Sequence, residues 1–228
     1  MTKSIEKRRT DQDLLLILII TCISLAFIMI LGQNAVLGVA DGWPLLLKTI
    51  YTVFIQFSIA GLGLSVVMLF RKEKFSAFGL KRKNLFYSLL LGLACVMAFI
   101  VLDILNKGNI DYLPFKKVNL TDELLKAGLP TGIIGMAFVV LAWGFFEGFN
   151  YVYISKKLNQ SIPIKNPFLR MGPILMGIAC IFIHGAVGHE MLSMLGSFLI
   201  VYITLMIPEL TGNAWGCILV FVFYWNAI

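Results

Sequence analysis

Glu147 stands among aromatic residues in the run FFEGFNYVYIS, residues 145–155. A charged group at the centre of a bilayer costs about 2.5–3.5 kcal/mol, so such residues face a cavity or a partner. Asn150 and Tyr151 follow Glu147 at i+3 and i+4 and extend one narrow polar stripe, with Trp143 one turn before. Later apolar stretches carry His184 and Asn226. This set can hydrolyse an amide. Glu147 would act as general base on a water held between it and His184, and Asn226 would donate to the developing oxyanion. The same residues also suit a structural role, with a protonated Glu147 hydrogen-bonded between helices and His184 and Asn226 joining neighbours. A metal is not expected. His184 and His189 are five residues apart, about 140° around a helix, unlike the one-face pair of HExxH. Glu147, His184 and Asn226 also lack the ligand set zinc takes. No other cofactor is implied.

The elements that must position these residues are membrane helices. The chain has 228 residues, 59% hydrophobic and 14% charged, too apolar for a soluble domain of this length. Seven apolar runs read as spans: Leu14 to Leu31, Leu45 to Phe70, Leu85 to Leu105, Gly132 to Ser155, Met171 to Gly188, Met191 to Ile207 and Ala214 to Ile228. Lipid leaves open strand edges unsatisfied and no barrel-type alternation is visible, so the fold class is all-α, a polytopic transmembrane bundle. The whole chain, residues 1–228, reads as one integral membrane domain. The first apolar run is longer than the roughly 7–15 residues of a cleaved signal, so it is expected to be an anchor. The four cysteines fall inside spans without CxxC spacing and read as packing residues. Thr121-Asp-Glu-Leu-Leu125 is expected to start a short interfacial helix in the longest connection.

The net charge of +7 is a topology signal rather than a nucleic-acid footprint. Of 19 Lys and Arg, 14 lie before span one, between spans two and three, or between spans four and five. The positive-inside rule makes that side cytoplasmic, with the N-terminus inside a cell membrane. The lipid bilayer is the first partner, and the clusters RKEK and KRKN can also attract anionic lipid. By helix rise, Glu147 lies roughly 12 Å from the cytoplasmic end of its span, His184 roughly 20 Å and Asn226 roughly 18 Å. These depths let the three meet after modest tilt, with Asn150 and Tyr151 on the wall of the resulting cavity.

The pattern resembles the CAAX-processing and bacteriocin-processing (CPBP) intramembrane proteases. That family carries a glutamate pair followed by arginine, then Phe-x-x-x-His, then His-x-x-x-Asn or Asp, on successive transmembrane helices. Glu147 resembles the first glutamate, and Tyr151 takes the aromatic place before the arginine. His184 matches the second-motif histidine and Asn226 the third-motif amide, with the motif helices at residues 132–228. FGLKRKNL (78–85) and the run TGNAW (211–215) also look like the family. Gly148, Val152, Cys180 and Val222 depart from the pattern, at the second glutamate, the arginine, the phenylalanine and the third-motif histidine. The resemblance implies an endopeptidase acting on a peptide or prenylated-protein substrate through Glu147 and His184. The alternative is a non-catalytic relative, a membrane interaction or immunity-type protein. A proton-coupled transporter is disfavoured by the lack of an internal repeat or of paired broken helices.

Overall fold

In the computed structural model, residues 2–109, 111–186 and 190–227 are described, with side chains described except at 2–4, 33, 34, 107 and 184–186. All regular elements among them are helical. A long α1 (Thr2–Leu31) leads to a short α2 (Gln33–Gly38), then α3 (Leu45–Ala60) and α4 (Leu62–Arg71). Next come α5 (Leu85–Lys107), the short α6 (Thr121–Lys126) where an interfacial helix was expected, and α7 (Thr131–Val139). A π-helical turn, Val140–Phe146, carries α7 without a break into α8 (Glu147–Ser161). The chain finishes with α9 (Met171–Ala186), α10 (Met191–Thr211) and α11 (Trp215–Val220), which ends in a second π turn, Phe221–Trp225.

Four helical stretches are long and apolar enough to cross a bilayer: Ile5–Leu31, Leu85–Asn106, Thr131–Ser161 and Met191–Thr211. A fifth exists if α3 and α4, bent by 62° at Gly61, count as one span. These four to five candidates point to a multi-pass membrane protein. The other two expected spans are shorter helices, Pro167–Ile183 and Trp215–Trp225. Among the described residues both are shorter than the other candidates. The Phe57 ring lies 2.3 Å from where a Cβ on residue 61 would sit, so any larger residue there must displace the ring.

Bilayer contact is compatible with the outer faces, where Ile30, Phe70 and Phe86 are exposed. Inside, α8 is the central helix. Its Phe149, Val152 and Tyr153 are fully buried against Leu64 and Val67 of α4, Leu205 of α10 and Phe221. Small residues bring α5 onto α11. A Cβ on Gly92 would stand 2.5 Å from the Gly216 carbonyl oxygen, and one on Gly216 would stand 2.0 Å from that of Ser88. The two segments 78–85 and 211–215 meet beside this contact. Asn213, fully buried, donates to the carbonyls of Lys81 and Lys83 at 2.6 and 2.9 Å, and Ala214 N–H donates to the Gly79 carbonyl at 2.9 Å.

The basic end of the bundle is closed by an ion network. The Asp13 carboxylate accepts from Arg71 Nε at 2.7 Å and from Lys157 Nζ at 2.8 Å. Lys157 also donates to Glu73 Oε1 at 2.6 Å, and the Tyr153 hydroxyl donates to Glu73 Oε2 at 2.5 Å. The Asp13 and Lys157 side chains are only 5% and 4% exposed, which makes this pair internal rather than a surface contact. It fastens α1 and α4 to the end of α8.

Candidate active site

The two π turns pack against one another and each hands the chain directly to a polar residue, Glu147 after the first and Asn226 after the second. A π turn fits one extra residue into the helix and often marks a functional position. Two glycines allow the contact. A Cβ on Gly144 would be 2.6 Å from Val222 Cγ2, and one on Gly148 would be 3.1 Å from Phe221. Positions 148 and 222 are therefore packing positions. A side chain at 148 meets the Phe221 ring, and Val222 fills the space Gly144 leaves.

Glu147 is partly buried and gathers donors from other helices. Its Oε1 accepts from the Trp225 indole Nε1 at 2.7 Å, and its Oε2 accepts from Gln56 Nε2 of α3 at 3.0 Å. The Asn226 amide is a third hydrogen-bonding group on the carboxylate, and it also reaches the Trp143 carbonyl at 3.5 Å. All three groups are neutral, and among the described residues no cation pairs with Glu147. A carboxylate offers about four lone-pair positions, so these donors leave acceptor capacity for a water.

The remaining expected residues are placed as follows. Asn150 is buried on α8, one turn from Glu147. Tyr151 packs on the rings of Phe221 and Trp225, with centroids 5.0 and 6.1 Å away. Its hydroxyl shares a hydrogen bond with the Cys180 thiol of α9. His184 lies one turn further along α9, and its side chain is outside the described residues, as is His189. The structure thus joins Glu147, Asn226 and Tyr151 in one cluster and brings α9 against its edge.

Gln56 and Trp225 were not singled out from sequence. Gln56 carried the usable signal, an amide in an apolar run, whereas Trp225 counted as apolar and its N–H was overlooked. One end of the cluster is roofed by the connection between α5 and α7. Lys117 N–H donates to the Asn226 carbonyl at 3.1 Å, and the Tyr112 hydroxyl donates to the Phe223 carbonyl at 2.5 Å. Buried Phe115 comes within 3.5 Å of the Cβ position on Gly144. On the flank, an apolar groove of about 250 Å³ runs between α3 and α7, walled by Phe54, Phe57, Phe138 and Phe146. Phe57 and Phe146 are the chain neighbours of Gln56 and Glu147. Among the described residues no group of three or more His, Cys, Asp or Glu is arranged to hold a metal.

Compared with protein-family models, curated proteins and solved structures, the chain matches none.

Proposed function

We propose that the chain is an intramembrane endopeptidase of the CPBP type, hydrolysing a peptide bond in a peptide or prenylated-protein substrate. The observation that carries this reading is the Glu147 carboxylate. Among the described residues its hydrogen-bond partners inside the helical bundle are all neutral, and they leave acceptor capacity for a water. Glu147 takes a proton from a water that His184 helps to hold, and the water oxygen attacks the scissile carbonyl carbon. The Asn226 amide donates to the oxyanion that forms. As the C–N bond breaks, Glu147 returns the proton to the leaving amine. The apolar groove beside Gln56 and Glu147 suits the lipophilic part of a substrate. The arrangement includes the two short helices as part of a seven-span bundle in the cell membrane, with the N-terminus and basic end cytoplasmic. A tag at residue 75 or 160 that is accessible from outside the cell overturns this orientation.

One observation favours a second reading, a non-catalytic scaffold that binds a membrane partner. Both carboxylate oxygens already have donors in Trp225 and Gln56, as in a structural peg. The deciding experiment uses the full chain in nanodiscs with a quenched fluorescent farnesylated peptide and its unlipidated counterpart. The peptidase reading expects cleavage that disappears in Glu147→Gln and His184→Ala while both variants stay folded. The scaffold reading expects no cleavage by the natural chain, and unchanged biological activity in Glu147→Gln.

A further inference from the structure

At the basic end of the bundle, away from Glu147, α8, α10 and the segment entering α9 enclose a polar pocket of about 330 Å³. Its walls include Lys156, Gln160, Arg170, Glu209 and Gly212. The single carboxylate is already committed, because Glu209 accepts from Arg170 Nη1 at 2.7 Å and from Asn159 Nδ2 at 2.8 Å. Lys156 is partly buried and has no ion pair among the described residues. Arg170 Nε is buried without a hydrogen-bond partner among them. A third cation completes the cluster, since Lys81 Nζ lies 3.6 Å from the Cβ position on Gly212. Lys156 feels the Glu209 carboxylate first and the Lys81 ammonium second, so one carboxylate is shared among the three cations. Lys81 is not free to swing away at its backbone, because Asn213 holds the carbonyls of residues 81 and 83.

Three cations around one carboxylate leave an excess of two positive charges. A run of surface lysines is usually a solvated face, but here Lys156 and Arg170 border a cavity, and Lys81 reaches towards its Gly212 wall. One of the lysines is part-buried, and one guanidinium donor is unused. Like charges gathered at one cavity favour an anion between them, and a guanidinium on its wall matches a phosphate oxygen.

We propose that this pocket binds a phosphate group, either on the headgroup of an anionic phospholipid or as free phosphate. The proposal does not depend on peptidase activity.

The test is native mass spectrometry of the detergent-purified full chain, titrated with dioleoyl phosphatidylglycerol and, separately, with dioleoyl phosphatidylcholine. One phosphatidylglycerol should bind in preference to phosphatidylcholine. Lys156→Gln should weaken it about fivefold, in line with the worth of one basic residue at an anionic surface. Lys156→Arg should retain it. Because Lys156 is part-buried, exposed Lys81→Gln gives a second reading that does not challenge folding, with a similar loss expected. Lys48→Gln, distant from the pocket, should change nothing. Displacement by inorganic phosphate identifies the free ion as a sufficient ligand, and resistance to it identifies the lipid headgroup. Equal binding of the two lipids together with no phosphate binding overturns the proposal. So does unchanged affinity in both Lys156→Gln and Lys81→Gln.

Discussion

Two carboxylate clusters sit about 15 Å apart along α8, at Glu147 and at Lys157, ten residues apart at 1.5 Å each. At the basic end, Asp13 and Glu73 are matched by Arg71 and Lys157, two charges of each sign. Nearer the middle, Glu147 meets an indole and amides but no described cation. The first arrangement works as a fastener between α1, α4 and α8. In the second, ionised and protonated forms are both tolerable, since neutral donors stabilise the anion without demanding it. Chemistry needs the second kind of environment and stability benefits from the first.

Mutations separate the two. The largest expected effect is on catalysis: Glu147→Gln lowers peptide cleavage by about 10²–10⁴-fold, the usual worth of a general base. The same variant leaves the thermal midpoint in nanodiscs nearly unchanged, because Gln keeps one oxygen to accept from Trp225 and the Gln56 amide can turn over to accept from the NH2. The reverse pattern is expected for Asp13→Ala. It takes away the Arg71 contact and one of the two carboxylates on Lys157, with Glu73 remaining, and lowers stability by about 1.5–3 kcal/mol, measured by unfolding in mild detergent. Per folded molecule, cleavage is retained. Loss of stability in Glu147→Gln equal to that in Asp13→Ala would erase the distinction.

The sequence made Glu147 and Asn226 visible because a polar residue in an apolar run is improbable without a reason. Gln56 carries the same signal but belongs to no motif. The Asp13–Lys157 pair had no such signal. Charges at span ends are ordinary, and a contact across 144 positions leaves no periodic trace. The all-helical class was legible from apolar run lengths. The division into spans was less so, because Gly61 reads as close packing and not as a 62° bend. Hydropathy also does not report where a helix starts and stops. The π turns leave no periodic trace in the sequence, although they touch each other beside Gly144 and Gly148.

Smaller changes sharpen the comparison. Trp225→Phe keeps the ring contacts with Tyr151 and Phe221 but removes the N–H that reaches Glu147. A loss of about 1.5–3 kcal/mol is expected for a hydrogen bond to a charged group, and about 0.5–1.5 if the carboxyl is neutral. A thermal-unfolding series therefore reports which form dominates. The smallest effect belongs to Lys48→Gln. It breaks a pair with Glu123 whose side chains are 25% and 50% exposed. Less than about 1 kcal/mol is expected by the same measurement, with no change in cleavage.

The first π turn also sets a rotational phase. Each residue of an α-helix advances the chain by about 100°, so a segment wound with one residue more than α pitch resets the facing of whatever follows it. The lipid-facing side of α7 and the polar side of α8 are therefore indexed separately, although one continuous helix carries both. Deleting a single residue between 140 and 146 would let the segment rewind to ordinary pitch and turn Glu147 away from Trp225 without altering any residue in the cluster. The protein should consequently tolerate many substitutions in this stretch but few changes in its length.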